Sequence, residues 1–502
     1  MPAISPTPVR PHIVARVTSL IAGEHVAARP ASSDIPVINP ATEERISTLQ
    51  QAEAAEVDVA VSAAREAFDH GPWPRLTLED RKDVLYAIRD RLRSQSEELA
   101  YLECLNAGLP MARVREHVGR AARNFEVFAE VASTTSGETY TGNRGYLTYV
   151  TREPKGAAAL IAPWNAPLAL ASMRVATCIA FGNTCVLKPS EYTPLSMLRM
   201  VELFHEAGLP PGVVNLVNGR GAVTGAALVS HRGIDMVGFT GGTRTGAEIM
   251  AAAGRNLKPC ALELGGKSAN IIHESADFDH ALDGALAGIY SNNGQQCLAG
   301  SRILVQRSIA ERFIAAFVER ARRIRIGDPF LPETELGPLC FAAHLERVLS
   351  YVDVAVREGA QLLVGGRRSP RYPRGYYMEP TAVLAPSNAT RVCQEEIFGP
   401  FATFLVYDTL DQAIGIANDS SFGLVAYVWA RDLEVAMRCS RDIRAGTLWV
   451  NTPMIRELRA PFGGFAQSGV GRDGARSSVD FFTELKTTTI PIEPPATPRL
   501  GA

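Results

Sequence analysis

Between residues 155 and 253, short apolar runs alternate with stretches whose apolar positions repeat at helical spacing. The pattern predicts strands at 157–162, 184–188, 213–217 and 236–239, and helices at 168–180, 195–207, 222–230 and 244–253. Such alternation builds a parallel, doubly wound sheet, and ligands bind at the carboxyl ends of its strands. Upstream the period is helical. Val57, Val61, Ala64 and Phe68 share one face, helical spacing runs through 80–107 to a stop at Gly108-Leu109-Pro110, and a further helix covers 112–131. The β-branched and aromatic run 146–151 predicts a strand. Beyond residue 297 comes a second α/β set. It has strands at 303–305, 361–364, 402–406, 424–429 and 447–450, and helices through Ile314–Ile324, at 343–358 and at 410–417. The run 486–492 is β-prone, and Pro491 places it at a sheet edge, where it suits pairing with another subunit.

Length and composition narrow the class. A chain of 502 residues holds two or three domains, and 46% hydrophobic with 21% charged residues describes a soluble globular protein. Lys and Arg number 51 against 53 Asp and Glu, with no long basic block, so nothing supports binding to nucleic acid or an anionic membrane. No apolar run is long enough for a membrane helix. The eight cysteines form no Cys-x-x-Cys pair, which argues against a metal site or a disulfide framework and for a reducing, cytoplasmic setting. The first thirty residues, with prolines at 2, 6, 8 and 11, read as a frayed tail rather than a signal peptide.

The chemistry concentrates between Glu263 and Cys297. Glu263 sits in the apolar run Cys260-Ala261-Leu262-Glu263-Leu264, ahead of Gly265-Gly266, and Cys297 follows Gly294-Gln295-Gln296. A buried carboxylate needs a partner or a task. A thiolate nucleophile and a carboxylate able to activate water together suffice for thioester chemistry. Two glycine clusters follow strands, at 219–225 and 239–246, and neither has the usual dinucleotide spacing. A helix starting near Gly242 or Thr243 would aim free N–H groups at a diphosphate. Lys188 and Glu191 end a strand and suit ribose hydroxyls; an exposed charged turn is the competing reading.

Together these stretches resemble the aldehyde dehydrogenase superfamily, collinearly from about residue 35 to 490. The resemblance rests on Pro163-Trp164-Asn165, 188–191, 239–243, 263–267, Gly294-Gln295-Gln296-Cys297, Glu395–Pro400 and Pro461-Phe462-Gly463-Gly464. It implies an α/β fold with a Rossmann-like NAD domain (31–137 and 155–265), a catalytic domain (266–470) and a β-arm for homodimer or homotetramer formation (138–154 and 480–495). It implies that Cys297 attacks an aldehyde and that Asn165 and the Cys297 N–H hold the oxyanion. Hydride then passes to NAD, and Glu263 activates the water that hydrolyses the thioester. Arg174 stands where the family has a basic residue supporting the centre; a helix-surface charge is the alternative. Cofactor contacts are implied at Ile161, Trp164, Lys188, Ser190, Glu191, Gly221, Gly241, Gly242, Thr243, Leu264, Glu396 and Phe398. A carboxylate on both ribose hydroxyls would repel a 2′-phosphate, which favours NAD over NADP. Gly242 replaces a frequent serine, and Ala466 stands where the family often has lysine.

Among aldehydes, 124–131, 239–243 and 451–464 look most like 5-carboxymethyl-2-hydroxymuconate semialdehyde dehydrogenases. Arg456 and Arg459, three apart on the loop after a strand, have the fork chemistry for substrate carboxylates; pairing with Glu457 or lining a subunit interface is the competing reading. Ala166, Met173, Gln296 and Phe462 complete the expected substrate contacts. Met173 stands where many relatives place tryptophan, and Ala166 leaves the pocket wide. Pro163-Trp164-Asn165-Ala166-Pro167 also resembles dehydrogenases of vanillin- or salicylaldehyde-type substrates. A CoA-acylating relative usually lacks the glutamate, and a catalytically silent one would have lost Cys297, Asn165 or Glu263.

Overall fold

Five parallel strands form the centre of an eight-stranded sheet, in the order Cys260–Glu263, Met236–Thr240, Ala157–Ile161, Thr184–Lys188, Val214–Leu216. The strand Ala157–Ile161 lies in the middle, and the chain winds outward from it first on one side and then on the other. The order therefore reverses between Ala157–Ile161 and Met236–Thr240, which opens a crevice at their carboxyl ends. These strands are short, buried on both faces and rich in Ala, Val, Leu and Ile, the composition of a sheet covered by helices on both sides. The structure is a computed structural model and describes residues 11–27, 34–495 and 497–501.

A second, seven-stranded sheet follows Glu263. Its order is Gln361–Val364, Thr381–Leu384, Phe401–Tyr407, Arg302–Gln306, Ala269–Ile272, Val425–Trp429, Thr447–Val450, parallel except at Gln361–Val364. The two sheets meet at the glycine loop 264–268. Arg302, 1% exposed, clamps this loop: its Nε donates to the Lys267 carbonyl at 2.8 Å, while Nη1 and Nη2 donate to the Ile416 and Ala417 carbonyls. A third sheet pairs Thr483–Pro491 with Tyr146–Pro154 at nine positions, with Glu138–Tyr140 on the other side.

The structure differs from the sequence reading in three places. Residues 16–25 belong to the expected tail yet supply three two-residue strands, and Leu20 pairs with Leu216 at the end of the nucleotide-side sheet. The rest of that expectation, residues 1–10 and 28–30, lies outside the described residues. The expected helix 80–107 is two helices, Leu78–Ser94 and Ser96–Ala107, broken at Gln95. The expected helix 222–230 opens as one wide π turn, Gly221–Gly225, before Ala226–Ser230.

Candidate active site

The crevice holds a cavity of about 380 Å³ lined by Trp164, Asn165, Gly241, Gly242, Glu263, Leu264, Cys297, Phe341, His344, Glu396 and Phe398, among others. Glu263, Leu264, Gly241 and Gly242 come from adjacent strand ends, because Thr240 and Glu263 are register partners and the Gly241 N–H donates to the Glu263 carbonyl at 3.0 Å. Cys297 arrives from the other sheet. The helix Phe278–Tyr290 ends, and Asn292, Asn293 and Gly294 then all take left-handed backbone with φ 56°, 56° and 70°. A Cβ on Gly294 would stand 2.2 Å from the Gly399 backbone, so only glycine turns here.

Side-chain amides hold this turn. Asn293 Nδ2 donates to the Gly108 and Pro338 carbonyls, and its Oδ1 accepts the Gly337 N–H at 2.8 Å. Asn292 Nδ2 donates to the carbonyls of Asn165 and Gln295, and Asn165 Nδ2 donates to the Gln295 carbonyl at 2.9 Å. The Cys297 loop and the Pro163-Trp164-Asn165 turn are thus tied together. Burial pushes the Cys297 thiol up to about 12, helped by Glu396 and Glu263, while Arg456 pulls it down. Burial, with Asp473 adding to it, also lifts Glu263 well above the carboxylate range. Glu263 Oε2 has no hydrogen-bond partner among the described residues. Burial thus favours the neutral form of both groups.

The cofactor side shows a cradle. The helix Thr243–Gly254 points its first turn at the cavity, with Gly241 and Gly242 lining it. Glu396 Oε1 accepts the Gly266 N–H at 3.1 Å, and a Cβ on Gly265 would stand 2.3 Å from its carboxylate. Trp164 meets Phe341, His344 and Phe398 edge-on at 5.0–5.3 Å. Phe398 is fixed at φ 63° while its carbonyl accepts from His344 Nε2 at 2.7 Å. Lys188 is buried at the end of its strand, 3.6 Å from Glu191, and is not an exposed turn charge. Ile161 is buried nearby, and Ser190 Oγ accepts the Tyr192 N–H.

Several expected contacts stand elsewhere. Gly221 is exposed in the π turn and does not line the cavity. The Thr243 hydroxyl donates to the Gln467 carbonyl at 3.2 Å. Gln296 turns its amide toward the Gly288 carbonyl and Ser291, away from the cavity. Met173 is buried in the core behind the site, and neither it nor Ala166 lines the cavity. Arg459 is exposed and forms a two-point pair with Glu457 at 2.8 and 3.1 Å, so the expected fork with Arg456 does not form. Short-range pairing at i, i−2 wins there because it needs no burial of charge. Arg456 does not line the cavity either; its guanidinium lies 3.6 Å from the centre of the Phe462 ring, in the cluster against which Cys297 packs. Arg174 is 5% exposed and bonded to Asp473 at 2.7 Å, which overturns its reading as a helix-surface charge.

The sequence reading missed Asp473, His344, Phe341 and Arg120. Asp473 lies far along the chain from Glu263 and Arg174, and the backbone pairing of Phe462 with Asp473 brings it in. Arg120 had one visible signal: with His117 and Asn124 it makes a polar i, i+3, i+7 stripe on the otherwise apolar face of the helix Met111–Ser133.

Residues 26–488 match the model of the aldehyde dehydrogenase family. Human retinal dehydrogenase 2 is 42% identical over 460 residues, 91% of this chain and 88% of that protein. The 5-carboxymethyl-2-hydroxymuconate semialdehyde dehydrogenase of Escherichia coli is 42% identical over 442 residues, 87% of this chain and 93% of its own. The crystal structure of HpcC from Thermus thermophilus superposes with a TM-score of 0.93 at 42% identity, covering 97% of this chain and 95% of that one. Betaine aldehyde dehydrogenase of Staphylococcus aureus, solved in complex with NAD+, gives 0.94 at 37% identity, with 97% and 96% covered. A half-buried cysteine and a buried glutamate facing one crevice, on a chain matched along nearly its whole length, place this protein in the aldehyde dehydrogenase family.

Proposed function

We propose that this enzyme oxidises a carboxylate-bearing semialdehyde of the 5-carboxymethyl-2-hydroxymuconate type to the acid, with NAD as oxidant. The observation that carries the substrate class is Arg456. Its guanidinium is stacked on Phe462 and lies near Cys297, and its buried Nε has no hydrogen-bond partner among the described residues. A buried, unsatisfied guanidinium is costly unless an anion meets it. Similarity to the E. coli relative supports the same class.

Cys297 adds to the aldehyde carbon to give a thiohemiacetal. Asn165, whose second amide N–H is uncommitted, and the Cys297 N–H then face the new oxyanion, a donor contributing about 3 kcal/mol in such sites. NAD, when bound, supplies the hydride acceptor; the Thr243–Gly254 helix start, Glu396 and the Lys188–Glu191 pair would hold it. Glu263 then takes a proton from the water that attacks the thioester, and its raised pKa suits a group that must give the proton up again. The eight free cysteines support a cytoplasmic setting.

The test compares NAD reduction with 5-carboxymethyl-2-hydroxymuconate semialdehyde, vanillin and a simple aliphatic aldehyde. The wild type should prefer the charged substrate in kcat/KM. Arg456→Ala should lose roughly 10- to 100-fold of that preference, and Arg459→Ala should keep it. Faster turnover of vanillin, indifferent to Arg456, would give the substrate to the aromatic-aldehyde class instead.

A further inference from the structure

Two helices that follow turns of the crevice begin without a cap of their own. The helix Pro167–Ala180 starts just after Asn165; its N-cap is Ala166, which has no side-chain acceptor, and Pro167 removes the first N–H. The helix Leu195–Glu206 starts behind Pro194, just after the Lys188–Glu191 turn, and it too lacks a side-chain cap from that position. Orphan N–H groups at a buried helix start need an acceptor from elsewhere.

A third helix supplies both. Ser96–Ala107 carries Glu103 and Asn106 on its last turn, 0% and 1% exposed. Glu103 Oε2 accepts the Leu168 N–H at 3.0 Å, while Oε1 meets His117 Nδ1 at 3.0 Å. Asn106 Oδ1 accepts the Leu195 N–H at 3.2 Å, and its Nδ2 donates to the Tyr192 carbonyl at 2.8 Å. The Tyr192 ring stacks on Phe341, which lines the cavity, with centroids 3.8 Å apart. The helix ends at Gly108 in left-handed backbone, φ 71°, and the Gly108 carbonyl accepts from Asn293 Nδ2 at 2.9 Å. One helix end therefore touches the Asn165 turn, the turn after Lys188 and the turn before Cys297. Apolar residues would fill buried positions 103 and 106 without desolvating a polar group, so packing alone does not account for them.

Resting on the mechanism given above, we infer that Glu103 and Asn106 are positioning residues with separate tasks. Glu103 fixes the helix start behind Asn165, and so the direction of the Asn165 amide at the oxyanion. Asn106 fixes the turn 189–194, and so the grip of Lys188 and Glu191 on NAD. Loss of the first slows the chemical step; loss of the second weakens cofactor binding.

Reach and charge can be separated at Glu103. Glu103→Asp keeps the charge but is one methylene too short to serve both His117 and the Leu168 N–H, whereas Glu103→Gln keeps the reach. NADH formed in the first turnover at saturating NAD, with the fastest of the three aldehydes named above, reads the chemical step. Calorimetric titration with NAD alone reads cofactor affinity. Glu103→Asp should slow the first turnover roughly 10- to 100-fold with NAD Kd within about twofold of wild type, and Glu103→Gln should recover most of the rate. Asn106→Ala should raise NAD Kd roughly 10-fold and keep the first-turnover rate within about twofold. If Asn106→Ala fails to fold, Asn106→Asp, which keeps the Leu195 acceptor and loses the donor to Tyr192, carries the comparison. A first turnover slowed by Asn165→Ala but unmoved by Glu103→Asp, or slowed as much by Glu103→Gln, would overturn the Glu103 assignment alone. An NAD Kd raised by Glu191→Gln but not by the Asn106 variants would overturn the Asn106 assignment alone. Rate and affinity falling together in both helix variants would overturn the division of tasks and leave the helix as structural support. Asn165→Ala without effect on the first turnover would overturn the oxyanion reading and the Glu103 assignment with it.

Discussion

Burial favours the neutral forms of Cys297 and Glu263, and a charge on Glu263 adds to the cost of ionising Cys297. Arg456 works in the opposite direction, lowering the pKa of both. The free enzyme should therefore react slowly with iodoacetamide at neutral pH. Because only the thiolate reacts and the thiol sits at about 12, the alkylation rate should rise about tenfold per pH unit from about pH 6 to 9 without levelling. Removing the positive charge in Arg456→Gln raises the thiol further, so that variant should be slower at every pH. A plateau near pH 7 in the wild type would mean that the free cysteine is already a thiolate. The unusual setting of both residues was readable in the sequence. The sign of Arg456's effect was not, since it depends on a through-space approach between residues far apart in the chain.

The turn Ser291–Gly294 leads into Cys297, and side-chain amides fix it. Asn293→Ala removes three buried hydrogen bonds and places alanine at φ 56°, together about 3 kcal/mol or more. Asn293→Gly loses the same bonds but tolerates the left-handed backbone, which spares about 1 kcal/mol. Thermal midpoints should fall in the order wild type, Asn293→Gly, Asn293→Ala, with kcat falling alongside. Equal midpoints for the two variants would remove backbone strain from the account. The regular elements were easier to foresee. Strands such as Thr184–Lys188 and Thr447–Val450 match their predicted bounds, because a short, mostly apolar and β-prone run between turns has few alternatives. The break at Gln95 and the π turn at Gly221–Gly225 escaped, since neither residue type forces them and packing against neighbouring helices decides.

The long pairing of Tyr146–Pro154 with Thr483–Pro491 joins segments from distant parts of the chain and projects exposed Leu147, Leu485 and Ile490. Apolar side chains on a strand with an open edge suit a second copy of the same sheet. We propose that this arm assembles the enzyme. Light scattering should then give a multiple of the 54.1 kDa chain mass, and a variant ending at Phe482 should fall to a single chain. An unchanged multiple in that variant would place the interface elsewhere.

The α/β class and the candidate status of Cys297 and Glu263 follow from local pattern, because periodicity, turn chemistry and a carboxylate in an apolar run are properties of neighbours along the chain. Which arginine meets the substrate is not such a property. Arg459 found Glu457 two residues away, while Arg456 came to lie on Phe462, in the cluster against which Cys297 packs, only once the loop 451–462 had folded onto the second sheet. Coulomb energy in a buried site depends on distance and dielectric, and folding sets both.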